Sequence, residues 1–420
     1  MHVSVQSLTT ESQARRSIAA LPSGPVNFDL SDEQRAVRDL ARDYAQNEIA
    51  PRAAEFDRSG EFPVELIRGM GRLGLFAIPF PESVGGAGGD YLSYCLALEE
   101  IARADASCAI TLEAAVSLGI TPIVEFGTSA QRERWLAPLL AGEQLWAFGL
   151  TEPEAGSDAG ATQTRARREG DEWVINGRKA FITNAGTEIS AGVTATTVTG
   201  NQDNGAPLIT TIAVENGTPG YTQAPKYHKL GWHASDTREL IFDDCRVPAD
   251  NLIGTQGAGL QQFLRVLEGG RVAIAALSVG LAQACLDASL DYSVQRRQFG
   301  QPIARFQVTQ FKLADMSTQI ELARLMTWRA AAEIDAGRPA GVYASYAKLY
   351  ASEMATACAN QAVQIHGGYG FMEESPVARY YRDCKVNEIG EGTSEVQRIL
   401  IARSLLEPRG LRVGAGTRRD

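Results

Sequence analysis

A chain of 420 residues with 44% hydrophobic and 21% charged side chains can bury a large core and exceeds the usual size of a single domain. Forty basic residues against fifty acidic ones leave a formal charge of −10, which argues against nucleic acid or an anionic membrane as the main partner. An anionic small ligand would need local basic residues such as Arg296 and Arg297, or Lys226 and Lys229.

Residues 1–26 lack the apolar core of a secretory signal and read as a flexible tail. Arg15, Arg16 and the serines faintly resemble an organelle transit peptide, but Glu11 and the short length favour a disordered extension. Ser31 followed by Gln34 is a capping-box start, with apolar residues at helical spacing behind it and a stop expected near Pro51. Helical patterns continue through PVELIRGMGRLG, YLSYCLALEEIARAD and SAQRERWLAPLLAG, so residues 27–145 read as an α-helical domain.

From Leu145 the texture changes. LWAFGLTEP, EWVINGRKAFITNAG, LITTIAVEN and RELIFDDCRVP are short β-rich runs separated by Gly, Asn, Asp and Pro, which predicts a β domain over 146–258. Helical periodicity then returns over 259–407. Its most apolar window, RVAIAALSVGLAQACL, is interrupted by Ser278 and Gln283 and reads as a buried helix rather than a membrane span. Residues 408–420 read as a second flexible tail. The six cysteines are scattered without metal-ligand spacing and look like reduced core residues, and the four histidines form no cluster. Neither a strand-linked G-x-G-x-x-G nor a P-loop is present, so a nucleotide-type cofactor must be held another way.

Six stretches carry chemistry. FGLTEPEAGSDAG, 148–160, leaves a β run for a loop whose backbone N–H groups, Thr151 and Ser157 can meet a polar or anionic ligand. FITNAG, 181–186, sets an aromatic, a β-branched residue and a hydroxyl at a strand end. EGGR places Arg271 three residues after Glu268, and QRRQFG carries Arg296. QIHGGYGF, 364–371, alone reads as a helix C-cap with a left-handed glycine. In IGEGTSEVQR, Glu391 lies between Gly390 and Gly392, ahead of a helix capped by Thr393 or Ser394; flanking glycines suit an acid aimed into a pocket.

In this order and within an α–β–α layout, these motifs resemble the acyl-CoA dehydrogenase family over residues 27–406. The resemblance implies an α+β fold with an N-terminal helical domain, a middle β-barrel or sandwich and a C-terminal four-helix bundle. It implies FAD bound between the last two, with Phe148, Leu150, Thr151, Gly156 and Ser157 on one side and Phe181, Ile182 and Thr183 on the other. Arg296, Phe299, Gln307, Gln364, Ile365, Gly367 and Gly368 match positions that reach a neighbouring subunit's FAD, with Thr393 and Glu395 toward the adenine and ribityl side. Ser157, Glu268, Arg271 and Gly392 match substrate positions, Glu268 standing where an Asp is frequent. Glu391 matches the catalytic base.

That chemistry has a physical logic. A thioester α-proton is too weakly acidic for a free carboxylate, so the carbonyl oxygen needs preorganised donors, expected to be the Glu391 N–H and a ribityl hydroxyl. Burial should raise the pKa of Glu391 toward that of a useful base. Three departures from common members stand out: Glu154 where glycine is frequent, expected to face solvent; Phe181 for tryptophan; and Gly390 for a bulkier residue. Some relatives carry the base immediately before the residue matching Arg271, but Gly270 occupies that place here. The expected partners are a short, medium or branched acyl-CoA, an electron-transfer flavoprotein and three further copies in a homotetramer. The expected location is the cytoplasm, or the mitochondrial matrix of a eukaryote. A flavin oxidase or monooxygenase on the same scaffold, and a dehydrogenase of carrier-protein thioesters, are the alternatives.

Overall fold

The computed structural model describes residues 28–411. The expected N-terminal tail, and residues 412–420 of the C-terminal one, lie outside the described residues; Glu407–Arg409 forms a 3₁₀ turn.

The chain enters through α1 (Asp32–Tyr44), capped as expected: Ser31 Oγ accepts from the Gln34 N–H at 3.1 Å and Gln34 Oε1 accepts from the Ser31 N–H at 2.9 Å. Pro51 does not stop it. A π-helical turn, Ala45–Ile49, leads into α2 (Ala50–Ser59), where Pro51 sits in the first turn and Gly60, at φ 69°, ends the run. Next come α3 (Val64–Arg72), α4 (Tyr91–Ala104), α5 (Ala106–Glu113), a second π-helical turn (Ala114–Ile120), α6 (Thr121–Phe126) and α7 (Ser129–Leu140).

The middle block is one seven-stranded sheet that curls: β1 (Leu145–Gly149), β2 (Arg165–Glu169), β3 (Glu172–Thr183), β4 (Ser190–Asn201), β5 (Pro207–Glu215), β6 (Tyr221–Gln223) and β7 (Thr237–Pro248). The order is β1-β4-β2-β3-β7-β6, with β5 antiparallel to β4. β4 escapes an apolar-run reading because SAGVTATTVTGN is rich in threonine. Yet Thr194, Thr196 and Thr197 are wholly buried, their β-branched side chains on alternating faces of a strand covered on both sides.

Helices resume with α8 (Gly259–Gln295), α9 (Gln307–Asp335), α10 (Gly341–His366), α11 (Pro376–Cys384) and α12 (Ser394–Leu406), with a two-strand ribbon, β8 (Arg297–Gln298) and β9 (Gln301–Pro302), after α8. The 37-residue α8 is the spine, packed on α4, α9 and α10, and α12 lies along α10. Its apolarity and that of Ala106–Phe126 would suffice for a membrane span, but most of both is buried inside the protein. One core joins the two helical blocks, including Tyr94, Ile101, Leu277, Val279 and Met354, and a second fills the sheet around Trp173, Val193, Ile212 and Phe242. All six cysteines are free and buried.

The first turn beyond β1 is fixed from inside the sheet. Lys179 of β3, with no exposed surface, donates from Nζ to Glu152 Oε1 at 2.6 Å, Thr196 Oγ1 at 3.0 Å and the Leu150 carbonyl at 3.3 Å. The Glu152 carboxylate also accepts from the N–H groups of Gln163 and Thr164. Burial lowers the Lys179 pKa to about 8 against the pull of Glu152. Lys179→Met strands a buried carboxylate and should destabilise the protein by about 3–5 kcal/mol. Adding Glu152→Gln should recover part of that loss; thermal melts ranking the double variant below the single one would contradict this account.

Candidate active site

The loop after β1 meets its neighbours through two specific contacts. Ala180 N–H donates to the Thr151 carbonyl at 2.8 Å, so the strand-end loop 150–152 runs beside 179–183. Phe148, half-buried, stacks on Phe263 of α8 with ring centroids 3.9 Å apart, joining sheet to spine. Gly156 and Ser157 are exposed, and a Cβ built on Gly156 would meet nothing within 4 Å. Glu154 faces solvent, as expected. Phe181 has φ 60° and is 66% exposed, its ring 5.4 Å from that of Tyr227. Ile182 is buried, and Thr183 pairs with Thr237 across β3 and β7.

At the end of the helical block, Arg296 caps α8 with its guanidinium 5.5 Å over the Tyr369 ring. Phe299 has φ 50° and is 93% exposed; Gln307, Gln364, Gly367 and Gly368 are exposed too, and Ile365 is buried. Phe371 is 80% exposed beside them in sequence. The C-cap expectation needs a correction: Gly367 has φ 61° but ψ −136°, outside the left-handed helical region, and starts a 3₁₀ turn that carries Tyr369 and Phe371 outward.

The stretch from Ile389 to Gly392 links the 3₁₀ turn after α11 to α12, whose N-cap is Thr393, its Oγ1 accepting from the Val396 N–H at 3.3 Å. Glu395 in the first turn is exposed. Glu391 itself has φ 54° and Gly392 φ 94°. A non-glycine residue pays for left-handed backbone, so something must hold it there. The Gly392 carbonyl is clamped by Lys348 Nζ of α10 at 2.8 Å and by Gln397 Nε2 at 2.9 Å.

This turn aims the Glu391 side chain at α8. Its Oε2 is enclosed, has no hydrogen-bond partner among the described residues, and lies 1.9 Å from where a Cβ on Gly270 would stand. A side chain at 270 and this carboxylate cannot share the space. Burial raises the Glu391 pKa to about 7, opposed by the neighbouring Glu113 carboxyl and by the charges of Lys348 and Arg271. Arg271 is buried with Nε unpartnered, burial lowering its pKa against the pull of Glu268 and Glu391; Glu268 is half-buried.

Three residues around these motifs escaped sequence reasoning: Lys179, Lys348 and Glu113. Lys348 and Glu113 are lone charges in apolar helical runs, SYAKLYA and ITLEAAV, and that isolation was the available signal; Lys179 follows Arg178 in GRKAFI and gave none.

Models of the acyl-CoA dehydrogenase N-terminal, middle and C-terminal domains match residues 31–143, 147–245 and 257–406. A probable acyl-CoA dehydrogenase of Bacillus subtilis is 53% identical over 91% of this chain and 100% of its own length. The mitochondrial short-chain specific acyl-CoA dehydrogenase of Mus musculus is 46% identical over 90% and 92%. Among solved structures, butyryl-CoA dehydrogenase from Megasphaera elsdenii superposes with TM-score 0.87 at 45% identity, over 91% and 100% of the two chains. A chain from a study of the electron transferring flavoprotein of Acidaminococcus fermentans gives 0.88 at 42%, over 91% and 100%. A glutaryl-CoA dehydrogenase from Mycobacterium smegmatis in complex with FADH2 gives 0.85 at 29%, over 90% and 95%.

Lys348→Met would remove a charged donor from the Gly392 carbonyl and leave Gln397 as its side-chain partner. A charge-assisted bond is worth about 1.5–3 kcal/mol, so amide exchange over 390–393 should accelerate by about tenfold or more without global unfolding. Unchanged protection there would show that the clamp does not set the turn.

Proposed function

This chain belongs to the acyl-CoA dehydrogenase family, and on that premise we propose that it dehydrogenates a short-chain acyl-CoA thioester across Cα–Cβ, with Glu391 as the base. The observation that carries the assignment is the Glu391 carboxylate: enclosed, lodged against Gly270, and raised by burial to about 7. A carboxylate in water is too weak for an α-proton; one withdrawn from water and deprotonated near neutrality is poised for it.

The family is FAD-dependent, and the residues here fit that cofactor. The exposed glycines 156 and 368 border open space where backbone can approach a ligand, and Phe181 turns its ring outward on left-handed backbone. Phe148, Leu150, Thr151, Ser157, Phe181, Ile182 and Thr183 would hold FAD from this subunit, with Thr393 and Glu395 toward its adenine and ribityl side. Bound FAD supplies the two-electron acceptor that takes the β-hydride. The protein's own part is to place the thioester, with the Glu391 N–H directed at its carbonyl oxygen, Arg271 and Glu268 at the entrance, and the Glu391 carboxylate taking the α-proton.

Arg296, Phe299, Gln307, Gln364, Gly367 and Gly368 gather at one end of the helical block, and five of the six are exposed with Tyr369 and Phe371 beside them. An apolar patch with a charged rim suits a second copy, so these residues would complete a partner's FAD site in a dimer that pairs into a tetramer. The electron acceptor in this reading is an electron-transfer flavoprotein, supported by the Acidaminococcus neighbour.

Glu391→Gln keeps the size and removes the base. It should retain FAD while flavin reduction by butyryl-CoA falls about 10²- to 10⁴-fold in anaerobic stopped flow; a near wild-type rate would end the assignment. In the wild type the ionised carboxylate is the active form, so kcat/KM should fall tenfold per unit as pH drops below about 7 and level off above it.

Short acyl chains are proposed because two of the relatives named above are a short-chain specific and a butyryl-CoA enzyme. A Cβ on Gly390 would meet only the Val386 carbonyl at 3.6 Å, leaving room beside the base for a methyl branch. Discrimination of about 1–3 kcal/mol per methylene should grade kcat/KM from butyryl- and isobutyryl-CoA down to octanoyl- and palmitoyl-CoA. Palmitoyl-CoA as best substrate would contradict it.

A further inference from the structure

The end of α5 carries an acid that the proposed chemistry does not use. Glu113 has no exposed surface, and neither of its carboxyl oxygens has a donor among the described residues. It is followed at once by the π-helical turn Ala114–Ile120, a departure from regular helix that recurs at functional sites.

Its surroundings identify the group it serves. The Glu391 carboxyl faces it from the turn before α12. From α4 come the hydroxyls of Tyr91 and Tyr94, and from the π-helical turn Ser117, whose Oγ lies 3.3 Å from Tyr94 Oη. Tyr91 Oη is enclosed without a partner and stands 3.0 Å from where a Cβ on Gly269 would be. Paired glycines at 269 and 270 therefore let one hydroxyl and one carboxylate press against the same turn of α8. Among the described residues, the positive groups set against the Glu391 acid are Arg271 of α8 and Lys348 of α10, and the Lys348 ammonium is already committed to the Gly392 carbonyl.

Two buried carboxyls that act on each other this strongly do not both stay ionised. An isolated buried anion at Glu113 would be costly, whereas the neutral acid has one O–H and an enclosed, partnerless oxygen, Glu391 Oε2, within the same cluster. Resting on the reading of Glu391 as base, we propose that Glu113 is its positioning residue: a neutral acid that donates its hydrogen to the Glu391 carboxylate in the substrate-free pocket, so that the pair holds one proton. The bond parks the base against Gly270 and favours its ionised form. When a thioester binds, Glu391 accepts the α-proton while Glu113 keeps its own, leaving two neutral acids and no net charge moved into the pocket. Burial and then the Glu391 charge push the Glu113 carboxyl well above the ordinary range, against the pull of the Ser117 hydroxyl.

The test uses FAD-loaded wild type, Glu113→Leu, Glu113→Gln and Glu391→Gln, each checked for FAD retention. Glu113→Leu removes the donor, so the acid limb of kcat/KM for flavin reduction should move up by about one pH unit or more. Glu113→Gln keeps an N–H donor and should bring the limb back to within about 0.3 unit of wild type. In infrared difference spectra at pH 9, wild type minus Glu113→Gln should show a carboxylic acid C=O band. An unmoved acid limb in Glu113→Leu, or no such band, overturns the proposal. If Glu391→Gln still reduces flavin, it is the base assignment that has failed, and the infrared arm alone decides whether the pair holds a proton.

Discussion

Everything at the site follows from one steric and electrostatic constraint: a carboxylate on left-handed backbone is pressed into the space that Gly270 leaves empty. Left-handed φ at Glu391 directs the side chain into the protein, and the missing side chain at 270 gives it somewhere to go. Withdrawal from water then raises its pKa. Geometry and basicity have the same cause, because the contact that positions the group also desolvates it. The same space cannot hold both a side chain at 270 and the Glu391 carboxylate.

The rest of the molecule holds the two sides of that contact still. α8 presents Gly270 and Arg271, and its close approach to α4 depends on Gly280, where a Cβ would lie 2.1 Å from the Glu99 carbonyl. The facing turn is tied by Lys348 and Gln397 to a single carbonyl, that of Gly392. On the sheet, the buried Lys179–Glu152 pair performs the same service for the loop after β1. Both devices use a buried lysine whose pKa burial lowers to about 8, a cost borne because backbone carbonyls in irregular turns need strong donors.

Much of this was legible in the chain. The α–β–α order, the capping box at Ser31 and the glycine-flanked acid at 391 are local signals, and local signals survive without coordinates. Pro51 misled because a proline in the first turn after a π-helical turn costs no hydrogen bond, and sequence periodicity does not register a π-helical turn. β4 was missed because its burial is of threonine. Gly367 was misjudged because a glycine after a helix commonly closes it in left-handed conformation, whereas here ψ −136° turns the chain outward toward Tyr369 and Phe371. The role of Glu113 escaped for a different reason. Its significance lies in facing a residue 278 positions away in sequence, and only the packing of α5 against α8 and the turn before α12 brings them together.

The central claim, that Glu391 takes the substrate's α-proton, can be separated from hydride transfer with an acyl-CoA analogue bearing sulfur at the β position, which has an acidic α-proton and no β-hydride to give. Mass spectrometry of the analogue incubated with the enzyme in D₂O reads α-exchange directly. Rapid exchange by the wild type and background exchange by Glu391→Gln, with FAD bound in both, is the expected result; equal exchange by the two would mean that another group removes the proton.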